Sequence, residues 1–597
     1  MKPSIRIKLA CVLCAIISYT ALFAQKPYWQ IPDSLSWGKE PPRGEVVCYA
    51  STEESVEKSY HKSAYLQPIV QWERNESPEA VTFTTSYKMP FSWIERQIFL
   101  HVGRVSGAFE VSVNGRRIGY SQTGSTPSEF NLTRHSVEGN NTLSIVVFRN
   151  SVSQSLENGR PTAAPAIEGE TYILAQPKVR VRDIFIDTRM QGTDGLLSLG
   201  VILKSQMLNP KDYRVYYQLL SPRGKVVSEA YKDITLDMRR EDTVRFFANI
   251  PDIMPWSHEQ PCMYTLLIKT RNEGRFREYL SFRVGFRDIE TLDGVIRLNG
   301  IPLRVNMKPY APPADIDSAR RQMAELQASG INTLKIIGGP QSRLFYALCD
   351  SMGMYVCNQA DIDTRAGGES RKVGGNISND PHWQKAFEER ALSMYHGSKN
   401  NPSTIMFSIA ENSANGYNLY ETYLALKALE KGRPVIYPDG GEWNSDTLDI
   451  ERMSSIRRTS SDHWVLITET DASRGKFKIH NTRHYTPIIG ELRCRIAVKN
   501  KFVYGTSIPL RVLPKSAEEV TVPIENVKPD EEFVVILEVV TEAPVNNYTL
   551  PETAPDPSIA KMARQEPDRQ EDTTVLAMKG FKAVIKQQPA QSDGQSL

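Results

Sequence analysis

Hydrophobic and polar residues alternate with period two through the first half of the chain. Gln97-Ile98-Phe99-Leu100-His101-Val102 reads as a strand, and Phe109-Glu110-Val111-Ser112-Val113 alternates strictly. Asn114-Gly115 marks a tight turn behind it, and Thr142 to Phe148 is a further strand. Short strands and turns from Tyr28 to about Lys178 predict an all-β sandwich of jelly-roll type. A second β region runs from Val179 to Asp288, with strand patterns at Arg214–Leu219 and Tyr264–Ile268. Its length suits one seven-stranded immunoglobulin-like sandwich.

The period then changes. Pro302–Lys308 reads as a short strand, and Asp315–Ser329 as a helix with Ile316, Ala319, Met323 and Leu326 on one face and Gly330 as its stop. Strands Ile331–Ile337, Met354–Gln359, Thr404–Ala410 and Pro434–Tyr437 alternate with helices Ser342–Met352, Pro381–Tyr395 and Leu419–Lys431. Strands alternating with helices predict a parallel sheet with crossover helices, here a partial TIM-type barrel of five strands. From about Asp462 the β pattern returns at Lys476–His480, Glu491–Val498, Val520–Ile524 and Phe533–Val540, a third sandwich. Beyond Tyr548 the chain is rich in Pro, Gln, Asp and Glu, which predicts a disordered tail. The expected organisation is a signal segment 1–24, a jelly roll 25–178, an immunoglobulin-like sandwich 179–288, a truncated barrel 289–461, a second immunoglobulin-like sandwich 462–547 and a tail 548–597.

Composition narrows the function. With 40% hydrophobic and 24% charged residues, several cores can form and global disorder is excluded. The near-balance of 72 basic and 69 acidic residues, without a long basic stripe, gives no reason to expect a nucleic-acid partner. Lys2, Arg6 and Lys8 precede an apolar run, Leu9 to Phe23, with the small Ala24 at a cut site. That is a secretory pattern, and the expected location is the bacterial periplasm or cell surface. No later segment is apolar enough to span a membrane. Of seven cysteines two leave with the signal, and the odd, scattered remainder is neither a disulfide framework nor a zinc site. Cys349 and Cys357 lie in apolar runs and are expected to be packed thiols.

Several motifs carry a family resemblance. Glu40-Pro41-Pro42-Arg43, Val113-Asn114-Gly115 with Gly119-Tyr120-Ser121, and Pro127-Ser128-Glu129-Phe130-Asn131-Leu132 lie in the first sandwich. Val284-Gly285-Phe286-Arg287 and Leu298-Asn299-Gly300 lead into the α/β region. Within it stand Leu348 to Val356, Asn400-Asn401-Pro402-Ser403 through Ser408, and Arg433-Pro434-Val435. In these runs and in domain order the chain, over roughly residues 27–545, resembles glycoside hydrolase family 2, in its β-galactosidase branch.

The resemblance implies a retaining glycosidase, which needs two carboxyl groups about 5–5.5 Å apart. The family places its acid/base after the fourth barrel strand, in an Asn-Glu run, and its nucleophile after the seventh. Here the run is Ala410-Glu411-Asn412-Ser413: Asn412 takes the acid/base position and Glu411 the one before it. Asn412 cannot donate a proton as a carboxylic acid does. Glu411 is the candidate catalytic carboxyl, provided that the loop rearranges. Between Tyr437 and Asp462 there is no room for three more strand–helix units, so the nucleophile segment is absent; Glu442 and Glu469 are carboxylates that nothing local marks. Lys335, Gly338 and Gly339 replace an arginine, a histidine and a tyrosine of the family after strand two. Asn358-Gln359 replaces an Asp-Glu pair, Arg365 a histidine, Met307-Lys308-Pro309 an Asn-Arg-His run, and Val152 a sugar- and sodium-binding aspartate. Framework residues survive while polar site residues are replaced.

Asp361 with Asp363, and Asp439, Glu442 and Asp446, are acidic groups that read as a polar barrel rim rather than a metal site, and no cofactor is implied. Among Trp93, Trp383, Trp443 and Trp464, Trp443 beside Gly440-Gly441 is the candidate sugar-stacking ring, while Trp383 with Phe387 one turn on reads as core. Five apolar parallel strands leave two open edges and a bare inner face. That surface is expected to be hidden by part of 440–465, by a second copy of the chain, or by another protein. The leading expectation is a secreted β-galactosidase-like protein without catalysis that binds glycan or protein. Two alternatives stay open: an active retaining glycosidase with a rebuilt site using Glu411, and an assembly subunit working through the open half-barrel edge.

Overall fold

The computed structural model describes residues 26–57, 60–157, 164–370, 372, 375–437, 445–456, 464–541 and 574–585. The first sandwich packs a six-stranded antiparallel sheet on a four-stranded one. Its core gathers the inward residues that the alternation marked, among them Ile98, Leu100, Val102, Phe109, Val111 and Val113. Asn114 and Gly115 both take positive φ, 49° and 75°, as a two-residue hairpin turn requires. The second sandwich pairs a three-stranded with a four-stranded sheet, seven strands as expected.

The α/β region is a five-stranded sheet, parallel throughout: Met307–Tyr310, Thr333–Ile336, Tyr355–Gln359, Thr404–Ser408 and Val435–Ile436, in sequence order. Among the described residues no closed barrel forms. Helices Ile316–Ala328 and Arg343–Met352 start at Asp315 and Ser342, whose side chains accept backbone N–H groups of the first turn. They pack on Leu334, Ile336 and Val356, while Phe407, Ile409, Val435 and Tyr437 meet helices Gln384–Ser398 and Tyr417–Leu429. Trp383 and Phe387 are core, as expected.

The opposite face of the sheet is covered by the chain itself. Tyr355, Cys357, Met406 and Ile436 pack against Trp256, Tyr485, the small antiparallel sheet Ile289–Leu292, Val295–Leu298 and Ile301–Pro302, and Met453 of helix Ile450–Ser455. Part of 440–465, the helix that carries Met453, folds over this face, as the first of the three expectations has it. Both edges are poor templates for a further strand. On the fifth strand Val435 exchanges hydrogen bonds with Asp446, through its N–H to Oδ2 at 2.8 Å and its carbonyl at 2.8 Å. On the first strand Lys308 and Pro309 are exposed, and Pro309 has no N–H to offer a further strand.

The third sandwich departs from expectation at its last strand. Residues 574–584, read from sequence as part of a disordered tail, form a strand paired along its length with Glu532–Thr541. Leu576 and Phe581 enter the third core. The five cysteines at 48, 262, 349, 357 and 494 are free and buried. Burial pushes the thiols of Cys48, Cys262, Cys357 and Cys494 up to about 12. No helix among the described residues is long and apolar enough to cross a membrane.

One buried acid makes stability depend on pH. Glu278 in the second sandwich is fully buried; its Oε2 accepts the Val181 N–H at 2.8 Å, and Oε1 has no partner among the described residues. Burial pushes its carboxyl up to about 7, against smaller opposing pulls from that N–H and from Arg96. Below the unfolded value, about 4, both states hold the proton. Between there and about 7 the unfolded chain releases it and the folded one keeps it, so stability falls as pH rises. Glu278→Gln is expected to flatten this slope by about 3 kcal/mol between pH 5 and pH 8. Calorimetric melting at the two pH values checks this; parallel profiles for both proteins would refute it.

Candidate functional site

The site lies at the C-terminal ends of the parallel strands, where such sheets carry their chemistry. Lys335 comes from the second strand, Gln359 ends the third, and Glu411-Asn412 follow the fourth. Isolated parallel bridges set Glu157 of the first sandwich beside Asp363, and Asp363 beside Glu411. The sandwich thus extends the row of strand ends.

Glu411 is about one-third exposed at its side chain, 32%. Its N–H donates to the Ile362 carbonyl at 2.8 Å, which fixes the backbone. Oε2 accepts from Gln359 Nε2 at 2.9 Å, and Oε1 accepts from Asn412 Nδ2 at 3.0 Å. Lys335 Nζ stands 3.9 Å from Oε2. Asn412 is exposed and takes φ +45°, a left-handed conformation that asparagine tolerates, and its amide folds back on its neighbour. The reversed Glu-Asn pair therefore forms a closed hydrogen-bonded unit.

Two of the nearby carboxyls have a counter-charge of their own. Asp363 holds Arg365 Nε at 2.8 Å. Glu157 meets Arg390 at 3.1 Å. Burial, then the neighbouring Asp361, pushes the Glu157 carboxyl up to about 7, while Arg390 opposes both. Glu157 is the perturbed acid of the site that sequence patterning did not mark: it sits in a polar turn, and its neighbours come from 200 residues further on. Asp446 is spent on the sheet edge and on Tyr423 and Lys427, at 2.7 and 2.9 Å. Glu469 is exposed in the third sandwich, away from these strand ends. Trp443, Asp439 and Glu442 lie outside the described residues.

The loop after the second strand shows what the replacements do. Gly338 and Gly339 take φ +80° and +86°, where side chains are strained. A Cβ on Gly339 would stand 3.1 Å from the Ser125 carbonyl oxygen and 3.2 Å from Asp361 Cβ. The loop thus closes onto the first sandwich, in space where a side chain would otherwise stand. Asn358 turns to the helix side, donating to Ser398 Oγ at 2.8 Å and the Met394 carbonyl at 3.2 Å.

Two antiparallel sandwiches, a parallel strand–helix sheet with polar groups at its strand ends, and a closing sandwich define a multidomain glycosidase-type scaffold. Sequence comparison agrees domain by domain. Residues 47–175 match the profile "Glycosyl hydrolases family 2, sugar binding domain", 179–287 "Glycosyl hydrolases family 2", and 313–489 "Glycosyl hydrolases family 2, TIM barrel domain". The chain belongs to glycoside hydrolase family 2, and it is β-galactosidase-like. It is 28% identical over 380 residues to a β-galactosidase of Psychromonas ingrahamii, a match covering 61% of this chain and 36% of that one. It is 30% identical over 362 residues to one of Vibrio vulnificus, covering 58% and 34%. The match therefore spans about a third of these relatives' length. Among solved structures, a family 2 member from Bacteroides cellulosilyticus shares the fold with a TM-score of 0.52 and 13% identity, over 77% of this chain and 81% of that one. A Ruminococcus gnavus β-glucuronidase does so with a TM-score of 0.52 and 16% identity, over 62% and 72%.

Proposed function

We propose that this chain is a family 2 protein without hydrolytic turnover: a β-galactosidase-like scaffold, exported to the periplasm or cell surface, that binds glycan or protein. The observation that carries the reading is the engagement of Glu411. Both its oxygens accept amide hydrogens from Gln359 and Asn412, and a lysine stands behind them. Retaining hydrolysis needs a carboxyl free to pass a proton to the leaving oxygen and a second one about 5–5.5 Å away to attack. The Gly338-Gly339 closure and the private cations of Asp363 and Glu157 support the same reading. An assembly role through an open edge is disfavoured by Pro309 and by the Asp446 clasp.

A second reading, hydrolysis by a rebuilt pair, is favoured by one observation: burial and Asp361 raise the Glu157 carboxyl to about 7, so about half of it holds a proton at neutral pH. One experiment separates the two. The purified protein is assayed on aryl β-galactosides and a panel of other aryl glycosides, beside Glu411→Gln and Glu157→Gln. No turnover by any of the three is expected. Turnover by the wild type that either substitution abolishes would overturn the proposal.

A further inference from the structure

The four-stranded sheet of the second sandwich turns an unusual face to water. Register places Tyr231, Tyr216, Lys269 and Tyr279 in one row across its strands, and Asp233, Arg214, Arg271 and Phe276 in the next. The rings follow one another: Tyr216 lies 5.6 Å from Tyr231 and 5.7 Å from Phe276, and Phe276 lies 5.7 Å from Tyr279, centroid to centroid. Tyr231 is 55% and Phe276 42% exposed, whereas the outward face of an antiparallel sheet is ordinarily polar.

Cations are threaded between the rings. The Arg214 guanidinium stands 4.3 Å from the Tyr231 centroid, and Lys269 and Arg271 each stand 5.7 Å from that of Phe276. Arg214 is neutralised by Asp233 through two bonds of 2.6 and 2.8 Å, and Lys269 donates to Gln218 at 3.1 Å. Arg271 has no carboxylate partner among the described residues. Hydrogen bonds from Arg271 and then Arg214 lower the pKa of the Tyr216 phenol, which ties both guanidinium groups to the ring row. At the head of the row lies an open depression of about 560 Å³, lined by Arg214, Arg271 and Asn272 and by three carboxylates, Asp212, Asp233 and Glu273; Thr235 donates to Asp212 and Lys211 to Glu273.

Exposed rings take the apolar face of a pyranose, and a guanidinium without a carboxylate partner takes a carboxylate through two parallel hydrogen bonds. A neutral glycan would leave Arg271 unused, and a planar carboxylate matches its fork. We propose that this face binds an acidic polysaccharide, a chain of uronate sugars, with Tyr231 and Phe276 as stacking rings and Arg271 as the carboxylate clamp. The site stands on the second sandwich, separate from the strand ends, and does not rest on whether the chain hydrolyses glycosides.

The test is affinity electrophoresis of the full chain in gels containing polygalacturonate, neutral β-1,4-galactan or single-stranded DNA. Retardation by polygalacturonate alone is expected, weakening with salt. Arg271→Gln and Tyr231→Ala should each weaken it by about tenfold or more, the loss of one charge-assisted or stacking contact. Both side chains are exposed, so melting temperatures should hold, and Phe247→Ala on the other sheet should bind like the wild type. Absence of retardation, equal retardation by galactan, a preference for DNA, or binding unchanged in both variants would overturn the proposal.

Discussion

Met453→Ala is expected to cost about 2–5 kcal/mol of folding stability, the range for truncating a buried methionine. Met453→Asp should leave no folded half-barrel at all, because it buries a charge within an apolar cluster. Met453 is fully buried and seals the face of the sheet that a complete barrel would enclose. Its Sδ accepts the Ile296 N–H at 3.3 Å, which binds the cover to the small antiparallel sheet, and its carbonyl accepts the Val305 N–H at 3.4 Å, in the segment that leads to the first parallel strand. Replacing it therefore opens a cavity and loosens the helix that carries it. Urea unfolding measures the loss. A change below about 1 kcal/mol would mean that the inner face is hidden by something other than this helix.

The second large effect is expected at Arg43 and Glu129. Arg43 Nε and one terminal nitrogen meet the two Glu129 oxygens at 2.7 Å each, and another terminal nitrogen reaches the Arg182 carbonyl at 3.0 Å. Glu129 belongs to the first sandwich and Arg182 to the second, so one guanidinium joins both. Burial pushes the Glu129 carboxyl up, but Arg43 and His101 outweigh it and hold the group well below the usual carboxylate range. Glu129→Ala leaves Arg43 buried without its partner and should cost about 3–5 kcal/mol. The sign with pH follows from the depressed value. The contribution is full above the unfolded value of about 4 and fades as acid protonates the folded carboxylate. Denaturation at pH 7 and pH 3 should show the gap between wild type and variant narrow in acid. A gap that widens in acid would contradict the assignment.

The sequence carried much of this fold, and the reasons are local. The parallel strands were legible because helix and strand periods alternate between Ile316 and Ile436, with caps at Asp315 and Ser342. The Arg43 motif was visible as a resemblance, but its work, a clamp between two sandwiches, was not, since its partners lie 86 and 139 residues away. The strand at 574–584 escaped because its register breaks between its pairings with Val539 and Val540, which puts Leu576 out of phase. The remaining core-side positions, Ala577, Lys579, Phe581 and Ala583, make a weak apolar signal. Glu411 and Asn412 were readable as a reversed pair; that the pair would close on itself through Gln359 required the third strand in place. Glu157 was silent because its environment is built by the loop around Asp361 and the helix bearing Arg390.

The five buried thiols have a consequence of another kind. They are distributed over the second sandwich, the half-barrel and the third sandwich, each sealed within a core. The folded protein can therefore pass through an oxidising compartment without shuffling disulfides, since no thiolate is presented. Any covalent capture of these sulfurs reports the opening of the unit that holds them, so the chain contains its own domain-by-domain gauge of breathing.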